Sequence, residues 1–192
     1  MTLPNTQDTI TEVDAVNNIL PKRFRLWNKV KDGHAKQPPM APIKAIMIAW
    51  IGGVIGIAVI GLVTDYTHYP FVLGSLGATC VLVFGFPESP FSQPRNIIGG
   101  HFLSSLMGLL FISVLGVTWW STALALATAI AVMQLTKTVH PPAGSNPVII
   151  MLTHATWPFL LTPTLVGATT LCVVAFIFHT IMSKKNYPTY WL

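Results

Sequence analysis

Charged residues are scarce in this sequence and are concentrated near one end. Only 9% of the 192 residues are charged, whereas 52% are hydrophobic and the mean hydropathy is +0.61. Soluble domains average about 25% charged residues, so this composition excludes a soluble globular protein and indicates an integral membrane protein. Most of the Lys and Arg residues precede residue 45.

Acidic residues are missing from every long apolar run, and cysteine is rare. Asp65 and Glu88 fall in connections between runs, and the two cysteines, Cys80 and Cys172, each lie alone inside a run. Carboxylates in membrane interiors usually bind cations or relay protons, so their absence argues against cation binding and against a proton relay built on carboxylates. We interpret the cysteines as packing residues. No phosphate loop, nucleophile elbow or paired-carboxylate motif is present, so we expect no enzymatic activity, no catalytic residues and no cofactor.

Residues 1–42 form a basic, partly amphipathic segment that we expect at the cytoplasmic membrane surface. Thr9 and Glu12 make a capping-box pattern at the start of a short helix, and residues 22–31 mix cations with aromatic side chains. We therefore assign the sequence pI of 9.4 to contact with membrane lipid and expect no nucleic-acid partner. No apolar run closely follows residue 1, so we expect no cleaved signal peptide.

Six apolar segments predict an all-α, polytopic membrane helix bundle over residues 43–183, followed by a short cytoplasmic tail at 184–192. A hydrocarbon core of about 30 Å requires about 20 helical residues. The second and fifth segments are short and begin with Gly, Ser or Pro residues; such irregular backbone is tolerated at membrane depth only inside the protein or beside a water-filled cavity. The predicted segments are 43–63, 70–86, 96–116, 119–137, 144–156 and 160–182.

The distribution of basic residues predicts the orientation of the bundle. With six crossings and both termini in the cytoplasm, all 11 Lys and Arg residues lie on the cytoplasmic side. Trp and Tyr residues then mark the opposite interface. We expect a multi-pass protein of the cell (inner) membrane. A fifth segment that re-enters the membrane without crossing it is the alternative that its short length leaves open.

A pair of similar patterns suggests a repeat of three segments followed by three. Gly74-Ser75 and Gly144-Ser145 each open an apolar run, and each run is followed by two prolines at similar spacing. An odd number of segments per copy makes the second copy inverted, although chance recurrence of Gly, Ser and Pro is the alternative. In an inverted repeat, the starts of segments two and five approach the midplane from opposite faces.

The starts of segments two and five carry neutral hydrogen-bond donors suited to a small anion. Ser75, Thr79, Ser145 and Asn146 can donate from their side chains, and the first N–H groups of a helix carry a partial charge of about +0.5. Close helix packing is the alternative role of such small residues. The full candidate substrate-binding set is Gly74, Ser75, Gly77, Thr79, Arg95, Asn96, His101, His140, Pro141, Pro142, Gly144, Ser145 and Asn146.

Three residues of this set have their own alternatives. His101 and His140 would shape or gate the site, but a buried histidine is often only a hydrogen-bonded part of the structure. Arg95 would attract the anion, or it would serve as an ordinary orientation signal at a membrane boundary. His179 could join the two other histidines around zinc, but the three share no local ligand spacing, so we expect no metal site. By contrast, Gly52 and Gly56 have the GxxxG spacing of helix-packing residues.

These motifs, taken together, resemble the HPP family. Thr138-Val139-His140-Pro141-Pro142-Ala143-Gly144 is similar to the His-Pro-Pro signature, and the run at 74–78, the stretch 93–96 and Gly99-Gly100-His101 resemble the rest of the family pattern over about residues 43–180. The resemblance implies an integral membrane protein and, from members associated with nitrite transport, nitrite as the cargo. The family is usually described with four membrane helices, which differs from our six segments.

The favoured hypothesis is therefore a transporter or channel for a small monovalent anion, with nitrite as the leading candidate. The alternatives are a membrane enzyme or metal-binding protein that uses the cytoplasmic-side histidines, and an accessory or structural membrane subunit. A homo-oligomer is the default assembly for a small membrane protein.

Overall fold

A computed structural model of the protein describes residues 39–183 and 186–191. The predicted basic segment at 1–42 lies almost entirely outside these residues, and its amphipathic helix stays a prediction. The described residues form six α-helices and no strand, which confirms an all-α bundle. The helices are α1 (Ile43–Thr67), α2 (Gly74–Gly85), α3 (Pro94–Leu115), α4 (Trp119–Leu135), α5 (Asn146–Thr153) and α6 (Val166–Phe178).

Short irregular turns join and extend these helices. Three are 3-10 turns, at Pro90–Ser92, Pro141–Ser145 and Trp157–Leu160, and two are π-helical turns, at Leu161–Leu165 and His179–Ser183. A proline occupies one of the first two positions of each 3-10 turn, where its missing N–H costs no helical hydrogen bond.

Three helical segments are long and apolar enough to cross a membrane. They are Ile43–Thr67, Pro94–Leu115 and Trp157–Ser183, with hydropathies of 2.6, 1.9 and 2.1. The predicted membrane helix bundle is thus confirmed. Helix α4 has 17 residues and extends about 25 Å at 1.5 Å per residue.

Helices α2 and α5 are short, as predicted. They contain 12 and 8 residues, which at 1.5 Å per residue extend about 18 Å and about 12 Å. Both begin later than expected, at Gly74 and Asn146, because the residues before α2 contain Pro70 and the residues before α5 form the Pro141–Ser145 turn. Each therefore reaches only part of the way across a bilayer as a helix.

Helix α1 packs on α2 and α6 through small residues. A Cβ atom on Gly52 would overlap the Phe84 ring, and one on Gly56 would lie 2.7 Å from the same ring. Phe84 also meets Phe178 edge to face, with ring centroids 5.3 Å apart. The interpretation of Gly52 and Gly56 as packing residues is confirmed.

Helix α3 is the central helix, and its glycines allow close packing of the segment that leads into α5. A Cβ atom on Gly100 would lie 2.7 Å from His140 Cβ and 2.9 Å from the Thr138 carbonyl oxygen, and one on Gly108 would lie 2.9 Å from Pro147 Cα. Any larger residue would push this segment away. The glycines therefore place His140 and the start of α5 directly against α3.

The order of elements recurs in the two halves of the described chain. A short helix, α2 or α5, is followed by a proline-containing 3-10 turn and then by a longer helical segment, which begins at Pro94 or at Leu161. This order agrees with the predicted correspondence of segments. The inverted relation between the halves stays a prediction.

Candidate functional site

Thr79 of α2 lies between two histidines at the centre of the bundle. Its Oγ1 atom is 3.0 Å from Nε2 of His101, on α3, and 2.8 Å from Nε2 of His140, which precedes the Pro141–Ser145 turn. The two rings are 5.0 Å apart between centroids. All three side chains are buried, with at most 1% of their surface exposed.

The neighbours of the two rings decide which nitrogen atoms carry hydrogen. Nδ1 of His140 is 2.7 Å from the carbonyl oxygen of Phe91, which can only accept, so Nδ1 donates. Nδ1 of His101 is 3.1 Å from the amide nitrogen of Asn146. That nitrogen also faces the His101 carbonyl oxygen at 3.4 Å, which identifies it as the donor, so Nδ1 of His101 accepts.

With both rings neutral, these contacts form one directed chain. Asn146 donates to His101, His101 donates through Nε2 to Thr79, Thr79 donates to His140, and His140 donates to the Phe91 carbonyl. Each ring then carries its single hydrogen on a different nitrogen, Nε2 in His101 and Nδ1 in His140. Such a chain fixes both tautomers and both ring orientations.

The chain continues beyond Asn146 toward the kinked start of the last membrane segment. The amide of Asn146 donates to Ser105 Oγ at 2.8 Å, and Ser105 Oγ lies 3.1 Å from Thr164 Oγ1. Thr164 belongs to the π-helical turn Leu161–Leu165. We name the connected set the polar core; its members are Thr79, His101, Ser105, His140, Asn146 and Thr164.

Two buried polar atoms at the polar core have no hydrogen-bond partner among the described residues. They are Oγ of Ser75 and Oδ1 of Asn146, and the two residues are 1% and 0% exposed. Ser75 lies one helical turn before Thr79, and its carbonyl oxygen is 2.9 Å from the Thr79 hydroxyl oxygen, within reach as an alternative acceptor for its hydrogen. A buried polar atom without a partner costs roughly 1–3 kcal/mol, so each is a natural contact point for a bound polar species.

The polar core carries no formal charge when its histidines are neutral. The charged residues in the described part of the chain all lie at the surface; they are Lys44, Asp65, Glu88, Arg95 and Lys137. The core is therefore lined only by hydroxyl, amide and imidazole groups.

The structure brings together four of the predicted site residues, Thr79, His101, His140 and Asn146, and places Ser75 one turn away. Thr79, near the middle of α2, meets the segment before α5, so the contact does not join the two helix starts. Pro142 is buried in the turn between His140 and Asn146, whereas Pro141 is exposed.

Four predicted residues lie away from the polar core. Gly74 and Gly77 are on the other face of α2, where no side chain or other element lies within 4 Å of an added Cβ atom. Ser145 is exposed, and its hydroxyl donates to the Pro142 carbonyl at 2.9 Å. Gly144 is half-buried, with Leu126 3.7 Å from an added Cβ atom.

Arg95 and Asn96 hold neighbouring chain segments in place. The Arg95 guanidinium is exposed and donates to the Thr136 carbonyl at the end of α4, at 3.2 Å. The Asn96 amide donates to the Val139 carbonyl at 2.9 Å, next to His140, and its oxygen accepts from Tyr190 at 3.1 Å. Both residues thus position the segment that carries His140.

Residues 186–191 contact the loop before α3, which sequence reasoning did not anticipate. The Tyr187 hydroxyl donates to the Ser92 carbonyl at 3.0 Å, and the Thr189 N–H donates to Oε1 of the buried Gln93 at 2.8 Å. Burial raises the pKa of Tyr187 above its ordinary value, so the hydroxyl remains a donor. These bonds hold the turn whose Phe91 carbonyl accepts from His140.

His179 lies apart from the other two histidines. Its Nε2 donates to the Val83 carbonyl at 2.8 Å, and Nδ1 is 2.7 Å from Ser183 Oγ. No group of three or more His, Cys, Asp or Glu residues in the described ranges could hold a metal ion. The three-histidine zinc site weighed from the sequence is therefore not assembled.

A cavity of about 310 Å³ lies near the Thr164 end of the polar core. Its lining includes Tyr69 and Leu73 before α2, Thr153 at the end of α5, and Thr162 and Pro163 just before Thr164. At the opposite end of the chain of hydrogen bonds, the half-exposed Phe91 lies at the surface. The polar core thus runs from the loop before α3 toward a depression at the far end of α5, and its side chains are closed off from both.

The fold and the site define a helical membrane protein with a neutral, buried polar core built around short, interrupted helices. The chain belongs to the HPP family, because the family's transmembrane region matches residues 38–188. The expected family resemblance is confirmed.

Two transmembrane proteins of Dictyostelium discoideum are similar to this chain. One is 34% identical over 188 residues, which covers 88% of this chain and 62% of the relative. The other is 34% identical over 180 residues, which covers 88% of this chain and 57% of the relative. The chain spans about three fifths of the length of these relatives. No solved structure matches it.

Proposed function

We propose that this protein is a transporter or channel for a small monovalent anion and that the anion passes through the polar core. The observation that carries the proposal is a buried, neutral set of polar groups beside which the Ser75 hydroxyl, a donor, has no partner among the described residues. Donors without a fixed cation can bind an anion and still release it, whereas a permanently charged side chain such as arginine would hold it too tightly.

The architecture supports the same proposal. Interrupted membrane helices place irregular backbone and polar groups at substrate sites in several transporter folds. Here α2 and the segment before α5 meet at Thr79 and His140, and both helices are too short to cross a bilayer alone. The polar core lies where the middle of short helix α2 meets the irregular segment before α5.

Nitrite is the leading candidate for the cargo. It is small and monovalent, and its two oxygens can accept from hydroxyl and amide donors. The resemblance of the His-Pro-Pro segment and its companion motifs implies the same anion. The names of the two Dictyostelium relatives state only that they are transmembrane proteins.

The test is anion flux into liposomes that contain only this purified protein. We expect nitrite uptake above that of protein-free liposomes and faster than uptake of nitrate, formate, chloride and a cation control. His140→Ala, which removes two hydrogen bonds of the polar core, should lower uptake at least about 10-fold, as the loss of a few kcal/mol of interaction at a transport site implies. Folded wild-type protein that moves none of these ions would contradict the proposal and favour an accessory or enzymatic role.

A further inference from the structure

The Thr79 hydroxyl has more hydrogen-bonding neighbours than one arrangement can use. Its single proton can go to His140 Nε2 at 2.8 Å or to the Ser75 carbonyl at 2.9 Å, and its oxygen also lies 3.0 Å from His101 Nε2. A hydroxyl donates once and accepts up to twice. Two complete arrangements are therefore available, and they differ by one proton.

In the first arrangement both rings are neutral. Thr79 accepts from His101 and donates to His140, and the Ser75 carbonyl has only its helical partner. In the second, Nε2 of His140 carries an additional proton. Thr79 then accepts from both rings and turns its own proton to the Ser75 carbonyl, while Nδ1 of His140 still donates to Phe91 at 2.7 Å. The added proton finds an acceptor, and every N–H of the two rings and the Thr79 hydroxyl has a partner.

His101 offers no comparable place for a proton. Its unprotonated nitrogen, Nδ1, faces the Asn146 amide nitrogen at 3.1 Å, so a proton there would oppose the N–H that Asn146 donates. Charging both rings is also unfavourable, because their centroids are only 5.0 Å apart. The pair thus accommodates one proton, on His140.

Few other titratable groups surround His140. The elements packed against it are α2, α3, the Pro90–Ser92 turn and its own turn. Their other titratable or charged residues in the described ranges are Cys80, Glu88, Arg95 and His101, with Lys137 just upstream. Cys80 faces Gly56 of α1, and Glu88, Arg95 and Lys137 are exposed. No carboxylate at this site competes for the proton.

We propose that the Thr79-bridged histidine pair is a proton-binding site, with His140 as the acceptor, and that a proton and the anion are carried together. This inference rests on the proposed anion transport. A proton on His140 supplies the positive charge that the neutral polar core lacks, one helical turn from the unpaired Ser75 hydroxyl. An anion and a proton that cross together cancel in charge, so the loaded core is neutral in a low-dielectric interior.

The two unpaired atoms differ in what they can bind. The Ser75 hydroxyl can donate to an anion oxygen, but Oδ1 of Asn146 only accepts. The Ser75 hydroxyl is therefore the contact that this unpaired pair offers to an anion.

The first test observes the proton directly and does not depend on transport. Nitrogen-15 NMR of histidine-labelled protein in lipid nanodiscs, assigned with His140→Gln and His101→Gln, should show Nδ1–H on His140 and Nε2–H on His101 at neutral pH. On acidification, His140 should gain a second N–H while His101 stays neutral. Thr79→Val, which removes the acceptor, should move the His140 midpoint down by about one pH unit or more. A His140 that never protonates in folded protein, or that titrates identically in Thr79→Val, overturns the proton site.

The second test asks whether the proton moves with the anion. An inward nitrite gradient should acidify the lumen of proteoliposomes holding a pH dye, at a rate that an imposed potassium diffusion potential does not change. His140→Gln should reduce this acidification at least about 10-fold relative to wild type. Protein-free liposomes measure the passive leak of nitrous acid, and Ser145→Ala is the matched variant of an exposed neighbouring residue.

The outcomes separate the two proposals. In one outcome, nitrite flux follows the imposed potential, does not acidify the lumen and is unchanged in His140→Gln. This outcome overturns proton coupling and leaves anion transport intact. No nitrite flux by folded wild-type protein overturns the proposed function, and with it the coupling, while the NMR titration still decides whether the proton site exists.

Discussion

The buried Ser75 hydroxyl destabilises the fold and is proposed to bind the anion. This hydroxyl has no partner among the described residues, so its removal should relieve a desolvation cost of roughly 1–3 kcal/mol. We expect Ser75→Ala to unfold at the same temperature as wild type or higher, while nitrite flux falls about 10-fold because a donor to the anion is lost. Thermal unfolding followed by tryptophan fluorescence and liposome flux measure the two effects. Undiminished flux in this variant would remove Ser75 from the site.

Several members of the polar core could be predicted from residue type and spacing. Thr79, His101, His140 and Asn146 are polar residues in apolar surroundings, and such residues usually face the interior of a membrane bundle. Ser105 was missed, although it lies four residues after His101 and so on the same face of α3. No neighbouring sequence feature indicated that Thr164 belongs to the polar core, because only the kink of the Leu161–Leu165 turn brings it to Ser105.

Other predicted site residues face away from the polar core, for reasons of helix geometry. Ser75 and Thr79 are four residues apart and share one face of α2, which leaves Gly74 and Gly77 on the opposite face. Ser145 and Asn146 are neighbours in a helical turn, so their side chains point in different directions, and only Asn146 reaches the core. The four-residue spacing of Ser75 and Thr79 was enough to predict which face of α2 they share. The 3-10 turn before α5 could not be predicted from the sequence in the same way.

At the scale of elements, the glycines of α3 control how closely the segment bearing His140 approaches. Gly100→Ala would place a methyl group 2.7 Å from His140 Cβ and should destabilise the protein by about 1–3 kcal/mol. Gly77→Ala is the matched control, because nothing lies within 4 Å of its added Cβ atom and alanine is favoured in a helix by about 1 kcal/mol. Unfolding in detergent measures both. Equal stability of Gly100→Ala and wild type would mean that α3 and this segment are not in close contact.

Element existence was easier to predict than element boundaries. Apolar runs located all six helices, because burial in lipid requires them to be continuous. The starts of α2 and α5 were predicted four and two residues too early, since hydropathy does not register where proline stops a helix. The contacts of Tyr187, Thr189 and Tyr190 with the loop before α3 were not predictable, because they join residues more than 90 positions apart.

At the scale of the whole molecule, the order of the helices predicts which connections share a side of the membrane. With six segments and cytoplasmic termini, residues 88 and 134 face the cytoplasm, and residues 117 and 156 face outward. We expect single cysteines at the two outward positions, in a Cys80→Ala, Cys172→Ala background, to react with an impermeant maleimide on intact cells. Cysteines at positions 88 and 134 should react only in inside-out vesicles. Labelling of positions 134 and 156 from the same side would show that the segment around α5 re-enters the membrane without crossing it.

Two neighbouring residues at the start of α5 test the proposal that a small anion crosses this protein through the polar core. Asn146 is buried and bonded to His101 and Ser105, whereas Ser145 is exposed and bonded only to the Pro142 carbonyl. Nitrite flux should be measured in liposomes for Asn146→Ala and Ser145→Ala, each shown to be folded by thermal unfolding and size-exclusion chromatography. If the anion passes through the polar core, nitrite flux should be nearly abolished in Asn146→Ala and unchanged in Ser145→Ala. Wild-type flux in a folded Asn146→Ala protein would contradict the proposal.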